Sequence, residues 1–135
     1  MSSARRYIPC NMSDQVHQVL GVLRRRLDAL YGERLLKVVL FGSQARGDAR
    51  SDSDIDVAIV LGGDVDPNLE IDRVVPITAQ LSLENDVLIS CVYVSAVDYS
   101  AGQRPLLLNL RRDGLQYDRA AAGTAGEGIR QSEGR

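Results

Sequence analysis

The 135-residue sequence is short of the residues that build several common kinds of site. It has one histidine, His17, so a His-based triad could form only there, and a His-rich metal centre is excluded. Its two cysteines, Cys10 and Cys91, are too few and too far apart for a disulfide framework or a four-ligand zinc site. No apolar run approaches the ~20 residues of a membrane-spanning helix. Runs such as Val38–Phe41 are strand-sized. The opening MSSARRYIPC has basic residues but no apolar stretch of signal-peptide length behind them. Positive charge is not in excess either. Lys plus Arg number 16 against 18 Asp plus Glu, for a net charge of −2. That balance weighs against a protein that coats nucleic acid by neutralising phosphates, and no direct nucleic-acid binding is expected. There is no internal repeat. What remains is one domain's length of chain, 44% apolar and 25% charged, with enough apolar material for a core. The expectation is a cytosolic (cytoplasmic), single-domain protein with no membrane association.

The acids that are present are unevenly spread. Six of the 18 lie between Asp48 and Asp66, and all six are Asp. A local excess of carboxylates in a near-neutral chain marks either a solvated loop or a divalent-metal site. Around this cluster the chain alternates helix-like and strand-like segments. Residues 1–12 read as a loose arm. Ser13 is a plausible N-cap for a helix over Asp14–Tyr31, where Val16, Val19, Leu20, Leu23, Leu27 and Leu30 recur at three- and four-residue spacing. Gly32 stops it. Leu35–Phe41 reads as a buried strand, Asp54–Leu61 as a second and Asp86–Val94 as a third. Gly62–Pro67 is a turn by composition, and Leu69–Leu83 suits a helix that Pro76 should kink or interrupt. Pro105 opens a short helix with Leu106, Leu107 and Leu110 on its buried side, and Gly114 ends it. The tail from Arg119 is Ala-, Gly- and charge-rich and reads as disordered. Helices and strands in this mixture give an α/β (α+β) fold.

The informative stretch is Phe41-Gly42-Ser43-Gln44-Ala45-Arg46-Gly47, followed by Ser53-Asp54-Ile55-Asp56-Val57. Gly42 directly after a buried strand allows a tight turn and a close approach of backbone to ligand. A helix opening at Ser43 would add free N–H groups and a hydroxyl for a phosphate oxygen. Asp54 and Asp56, two apart on a strand, point to one face. Two carboxylates side by side repel unless a cation joins them. Asp without nearby His favours hard Mg²⁺ or Mn²⁺ over zinc. Alone, Gly-Ser after a strand is usually a plain turn, and Asp-x-Asp usually a solvated edge or a cap. In this order and spacing they fit one job: a phosphate cradle beside a carboxylate pair, as metal-assisted phosphoryl or nucleotidyl transfer requires.

The string GSQARGDARSDSDIDVAIV closely resembles the signature of minimal nucleotidyltransferases of the DNA polymerase β-like superfamily. Gly42, Ser43, Arg46, Gly47, Ser53, Asp54 and Asp56 match it position by position. A weaker likeness extends into PLLLNLRRDGLQYD, so the resemblance covers about residues 13–118. It implies a small mixed β-sheet flanked by helices, binding Mg²⁺ and a nucleoside triphosphate such as ATP at its edge. Gly42 and Ser43, with Arg46 and Ser53, would hold the nucleotide. Asp54 and Asp56 would bind metal, and a third acid on a later strand would complete the catalytic set. By position Asp86 matches that third acid, or else merely caps its strand. Domains of this type are similar to antitoxins paired with a helical HEPN-type toxin. They neutralise it by attaching AMP to a hydroxyl or by contact alone.

Other residues carry plainer readings. Arg24-Arg25-Arg26 reads as a solvated helix face, with a partner or RNA contact as the alternative. His17 lies one step from the apolar stripe, at its rim. Cys91 alternates with Ile89 and Tyr93 and reads as a core thiol. Arg46 could meet a phosphate or pair with Asp48. Three functions follow for testing: a Mg²⁺-dependent nucleotidyltransferase, a non-catalytic interaction module, and an antibiotic-modifying transferase. The last is disfavoured because no substrate domain follows.

Overall fold

The computed structural model describes residues 14–46 and 54–117. The expectations for the arm 1–12, Ser13, Gly47, Ser53 and the tail from 119 lie outside the described residues. Helix α1 runs over Asp14–Tyr31, as its apolar spacing predicts, and buries Val16, Val19, Leu20, Leu23 and Leu27. Leu30 departs from the expected stripe and is exposed. Tyr31 takes the last buried place. Gly32, at φ +59°, turns the chain through a short 3₁₀ turn into strand β1, Leu35–Phe41. The five-residue helix α2, Gly42–Arg46, follows without a break.

Strand β2, Ile55–Leu61, lies antiparallel to β1, with Leu40 opposite Val57 and Phe41 opposite Asp56. Helix α3, Pro67–Asn85, carries the chain across to β3, Ile89–Ser95, which lies parallel to β2. A parallel pair needs such a crossover. Helix α4, Ala96–Ala101, and helix α5, Pro105–Asp113, lead to the two-residue strand β4, Leu115–Gln116, antiparallel to β1. The sheet order is β3-β2-β1-β4. The result is the expected mixed sheet flanked by helices.

Three boundaries differ from the sequence reading by two residues or more, each for a local reason. Helix α3 starts at Pro67 rather than Leu69, because the Asp66 carboxylate accepts from the Asn68 N–H at 3.1 Å and Pro67 suits the first helical position. It continues past Pro76 without interruption. Pro76 and Asp72, whose carbonyl loses its ladder bond, are both exposed, so that carbonyl can be hydrated. At the far end α3 reaches Asn85, and β3 begins only at Ile89 rather than Asp86.

The core has two layers. On one face α1 and α3 pack over Val38, Leu40, Ile55, Val57, Ile59 and Leu61. On the other, α5 packs Leu107 and Leu110 over Val39, Ala58, Val60 and Val94. One charge is sealed under the first layer. Glu70 is 1% exposed and accepts from the Tyr31 hydroxyl at 2.7 Å. Its carboxylate also lies 3.4 Å from Arg73 Nη1 and 3.6 Å from Arg34 Nη2. Arg34 donates besides to the carbonyls of Gly62 (3.1 Å) and Asp64 (2.9 Å), fastening the loop after β2. Burial, then the hydrogen bond to Glu70, pushes the Tyr31 phenol well above its ordinary range.

Candidate functional site

The site forms where β1 ends and β2 begins. Because the two strands are antiparallel, the chain leaves β1 at Phe41 beside Asp56. Gly42, the next residue, stands at φ +74°, a left-handed conformation that favours glycine. It also has no room for a side chain. A Cβ built there would collide with Asp56 Oδ2 and lie 3.3 Å from its Cγ. The backbone of the Gly-Ser turn is therefore pressed against the second carboxylate of the Asp-x-Asp pair. Ser43 is half-buried in the first turn of α2.

Asp54 stands just before β2, exposed, and Asp56 is half-buried. Alternation puts both on the face shared by Ala58 and Val60, towards α5. The Ile55 N–H between them donates to the Leu88 carbonyl at 2.9 Å, which fixes the register with β3. That register sets Ser90 beside Asp56. Ser90 is a neighbour that sequence reasoning missed. The sequence pattern starts this strand three residues early, and only the register of a parallel pair identifies which residues stand side by side.

Asp86 is placed differently from expectation. It is the C-cap of α3, exposed, at φ 53° and ψ 47°, and its N–H donates to the Ser82 carbonyl. It precedes the strand instead of opening it. Among the described residues no three His, Cys, Asp or Glu side chains gather as a metal site, so Asp54, Asp56 and Asp86 do not form one cluster. The cause is the length of α3. It runs on to Asn85, and the left-handed residue that must reverse the chain after it is Asp86. The side chain of Arg46 lies outside the described residues.

The residues present nevertheless fit a divalent ion that arrives with a nucleotide. Mg²⁺ is commonly held by one or two carboxylates, with substrate phosphates and water completing its shell. Two hard oxygen donors, Asp54 just before β2 and Asp56 on it, beside a turn that favours glycine, match that description. A separate groove of about 500 Å³ opens at the opposite end of β2 and β3, lined by Gly63, Asp64, Tyr93, Val97 and Arg104. It is remote from the carboxylate pair, one full strand away. Cys91 is a half-buried thiol pushed up to about 12 by burial, which suits a packing role and not a nucleophile. His17 sits at a half-buried rim position, as expected. Of the three arginines, Arg24 reaches Asp28 and the Tyr117 carbonyl and Arg26 reaches Gln80, so two of them tie elements together.

The family model described as Nucleotidyltransferase domain matches residues 20–94. A protein of Methanocaldococcus jannaschii named as a protein adenylyltransferase is 42% identical over 69 residues, 51% of this chain and 63% of that protein. The chain thus spans less than two thirds of that relative. A second protein of the same organism, with the same kind of name, is 30% identical over 76 residues, 56% of this chain and 76% of that protein. Among solved structures, one described as a toxin-antitoxin with AMP-PNP superposes with a TM-score of 0.52 at 18% identity. That match covers 83% of this chain and 80% of the other. At that identity it speaks for the fold.

Proposed function

The chain belongs to the nucleotidyltransferase domain family, and from that premise we propose that it transfers a nucleoside monophosphate, AMP from ATP, to a hydroxyl on a protein. The observation that carries this reading is the packing of Gly42 against Asp56. It brings the phosphate-holding turn and a metal-binding carboxylate into contact. Gly42 and Ser43 hold the triphosphate, with Arg46 and Ser53 as further contacts. Asp54 and Asp56 hold Mg²⁺ or Mn²⁺, which when bound neutralises charge on the transferring phosphate and the leaving pyrophosphate. The acceptor oxygen forms a bond to the α-phosphorus as the bond to pyrophosphate breaks, and the hydroxyl proton is lost to water or to a carboxylate of the pair. The Gly42-Ser43 turn fixes the line of attack by holding the triphosphate beside Asp56. The names of the relatives support a protein as acceptor. The toxin-antitoxin neighbour supports a toxin partner, for which we propose a HEPN-type protein in the cytoplasm.

A second reading is favoured by one observation: among the described residues no third carboxylate gathers at Asp54 and Asp56. On that reading the chain neutralises its partner by contact, with its transfer site idle. Co-expression with the HEPN-type partner and intact-mass spectrometry separate the two. Transfer adds the mass of one or more nucleoside monophosphates to the partner, and Asp56→Asn abolishes the addition. A partner neutralised without added mass, equally well by the Asp56→Asn chain, removes the catalytic reading.

A further inference from the structure

Strand β3 is at the edge of the sheet, and among the described residues no strand pairs with its outer side. The Leu88 carbonyl accepts from Ile55 on β2, so the backbone groups of Ser90, Val92 and Val94 also face β2. Those of Ile89, Cys91, Tyr93 and Ser95 point outward. Natural sheets guard such an edge with Lys, Pro, a bulge or a very short strand. This one has none of these. From Val87 to Val97 the sequence VLISCVYVSAV contains no charge, no proline and no glycine.

The helix beside that edge is apolar on its outer flank as well. Helix α3 packs against both α1 and β3, whereas α1 packs on β1, so one flank of α3 faces α1 and the other overhangs the β3 edge. The flank towards α1 is marked by Gln80, which accepts from Arg26 at 2.6 Å. Ile71 lies nine positions from Gln80, about 180° round the helix at ~100° per residue. Ile71, Val75, Thr78 and Ser82 form a continuous stripe at helical spacing on that far flank. All four are uncharged, and Ile71 is 41% and Val75 47% exposed.

We propose that the β3 edge and this flank of α3 together form a two-fold interface with a second copy of the chain. A two-fold axis at Val92 sets Ile89 opposite Ser95 and Cys91 opposite Tyr93 of the other copy. Every outward-facing residue then meets an outward-facing residue, as an antiparallel ladder requires. The same operation runs the two α3 helices antiparallel across the seam. There Ile71 meets Ser82, and Val75 meets Thr78, so a large residue faces a small one at each level and no charges are opposed. The proposed axis has to pass β3 at residue 92 and α3 between residues 76 and 77, which lie at or next to the midpoints of the two elements. Joining the sheets in this way gives β4-β1-β2-β3-β3-β2-β1-β4. A helix face ~28 Å long and a strand edge ~23 Å long, each ~10 Å wide, cover roughly 500 Å² per copy. That is near the lower limit for a specific interface, so dissociation in the micromolar range is expected.

Sedimentation velocity of the full chain from about 1 to 200 µM, a range that brackets a micromolar constant, reads the outcome. The mass should rise from 14.7 kDa towards twice that value. Val75→Lys, at an exposed position, should hold it at the monomer with an unchanged circular dichroism spectrum. Ile71→Lys serves the same purpose should Val75→Lys fail to fold. Val92→Cys in a Cys10→Ser, Cys91→Ser chain should form a covalent dimer on oxidation, because facing Cα atoms in a non-hydrogen-bonded pair lie ~4.5 Å apart, within the reach of a disulfide. A chain that stays monomeric at the highest concentration overturns the proposal. So does a dimer untouched by either lysine, or one that gives no Val92→Cys cross-link.

Discussion

Replacing Gly42 by Ala separates the two reasons a glycine is needed there. The first is conformational. A φ of +74° costs an L-residue about 1 kcal/mol. The second is steric: the new methyl group meets the Asp56 carboxylate, and moving it should cost a further ~1–2 kcal/mol, as overpacking does. Gly63 supplies the control. Its φ is +78°, yet a Cβ there meets nothing within 4 Å. Gly63→Ala should therefore lose only the conformational ~1 kcal/mol, and Gly42→Ala about 2–3 kcal/mol. Urea unfolding of both variants measures the difference. Repeating Gly42→Ala in an Asp56→Ala chain should return its cost to that of Gly63→Ala, a coupling of ~1–2 kcal/mol between residues in contact. Nucleotide affinity should fall with Gly42→Ala and not with Gly63→Ala. Equal costs for the two glycines, or an unchanged cost once Asp56 is gone, would refute the close approach of turn and carboxylate on which the proposed site rests.

Other perturbations have equally definite outcomes. Glu70→Ala leaves Arg34 and Tyr31 without their buried partner and should cost about 3–5 kcal/mol in urea unfolding, against ~1–2 kcal/mol for Tyr31→Phe, which removes one hydrogen bond. Asp86→Gly relieves a left-handed cap and should stabilise the fold by about 0.5–1 kcal/mol. If it stabilised the fold while abolishing transfer to the partner, the Asp86 carboxylate would belong in the site after all. In a Cys10→Ser chain, Cys91 should react with a thiol reagent at pH 8 far more slowly when folded than in urea, because burial raises it from 9.0 to about 12. The folded thiol keeps its proton while the unfolded one ionises, so its contribution to stability is present below about pH 9 and lost between there and about pH 12. Cys91→Ala should reduce that alkaline loss.

The long, periodic elements were legible because their patterns have one solution. The stripe from Val16 to Leu27 can be buried only as a helix, and LLKVVLF, with seven residues and paired valines, is a strand in the middle of a sheet. The places of the Gly-Ser turn and the Asp-x-Asp pair were legible for the same reason, since each sits at the end of a clear strand pattern, and the antiparallel pairing of β1 with β2 brings them together. What escaped were features decided by partners distant in sequence. Helix α4 has six residues and a serine cap, and β4 has two residues that are strand only because Val39 and Leu40 hold them. Asp86 could be read as either strand or cap, because the choice depends on where α3 stops. The interruption expected at Pro76 does not occur, since its cost depends on whether the freed carbonyl faces water, and exposure is not written in the local sequence.

The unequal dressing of the sheet bears on how the molecule breathes. The face under α1 and α3 holds most of the buried apolar side chains, whereas the face under α5 is closed by few, Leu107 and Leu110 chief among them. Backbone amides of α4, α5 and β4 should accordingly exchange with solvent through openings that leave the α1–β1–β2–α3 body intact. Helix α5 also touches α2, the short helix that begins at Gly42. Each detachment of that outer layer would strip support from the turn beneath it, so an occupied turn should hold the layer down. Slower exchange across residues 105–116 on adding nucleotide would make the thin side of the sheet a reporter of what the Gly42 turn holds.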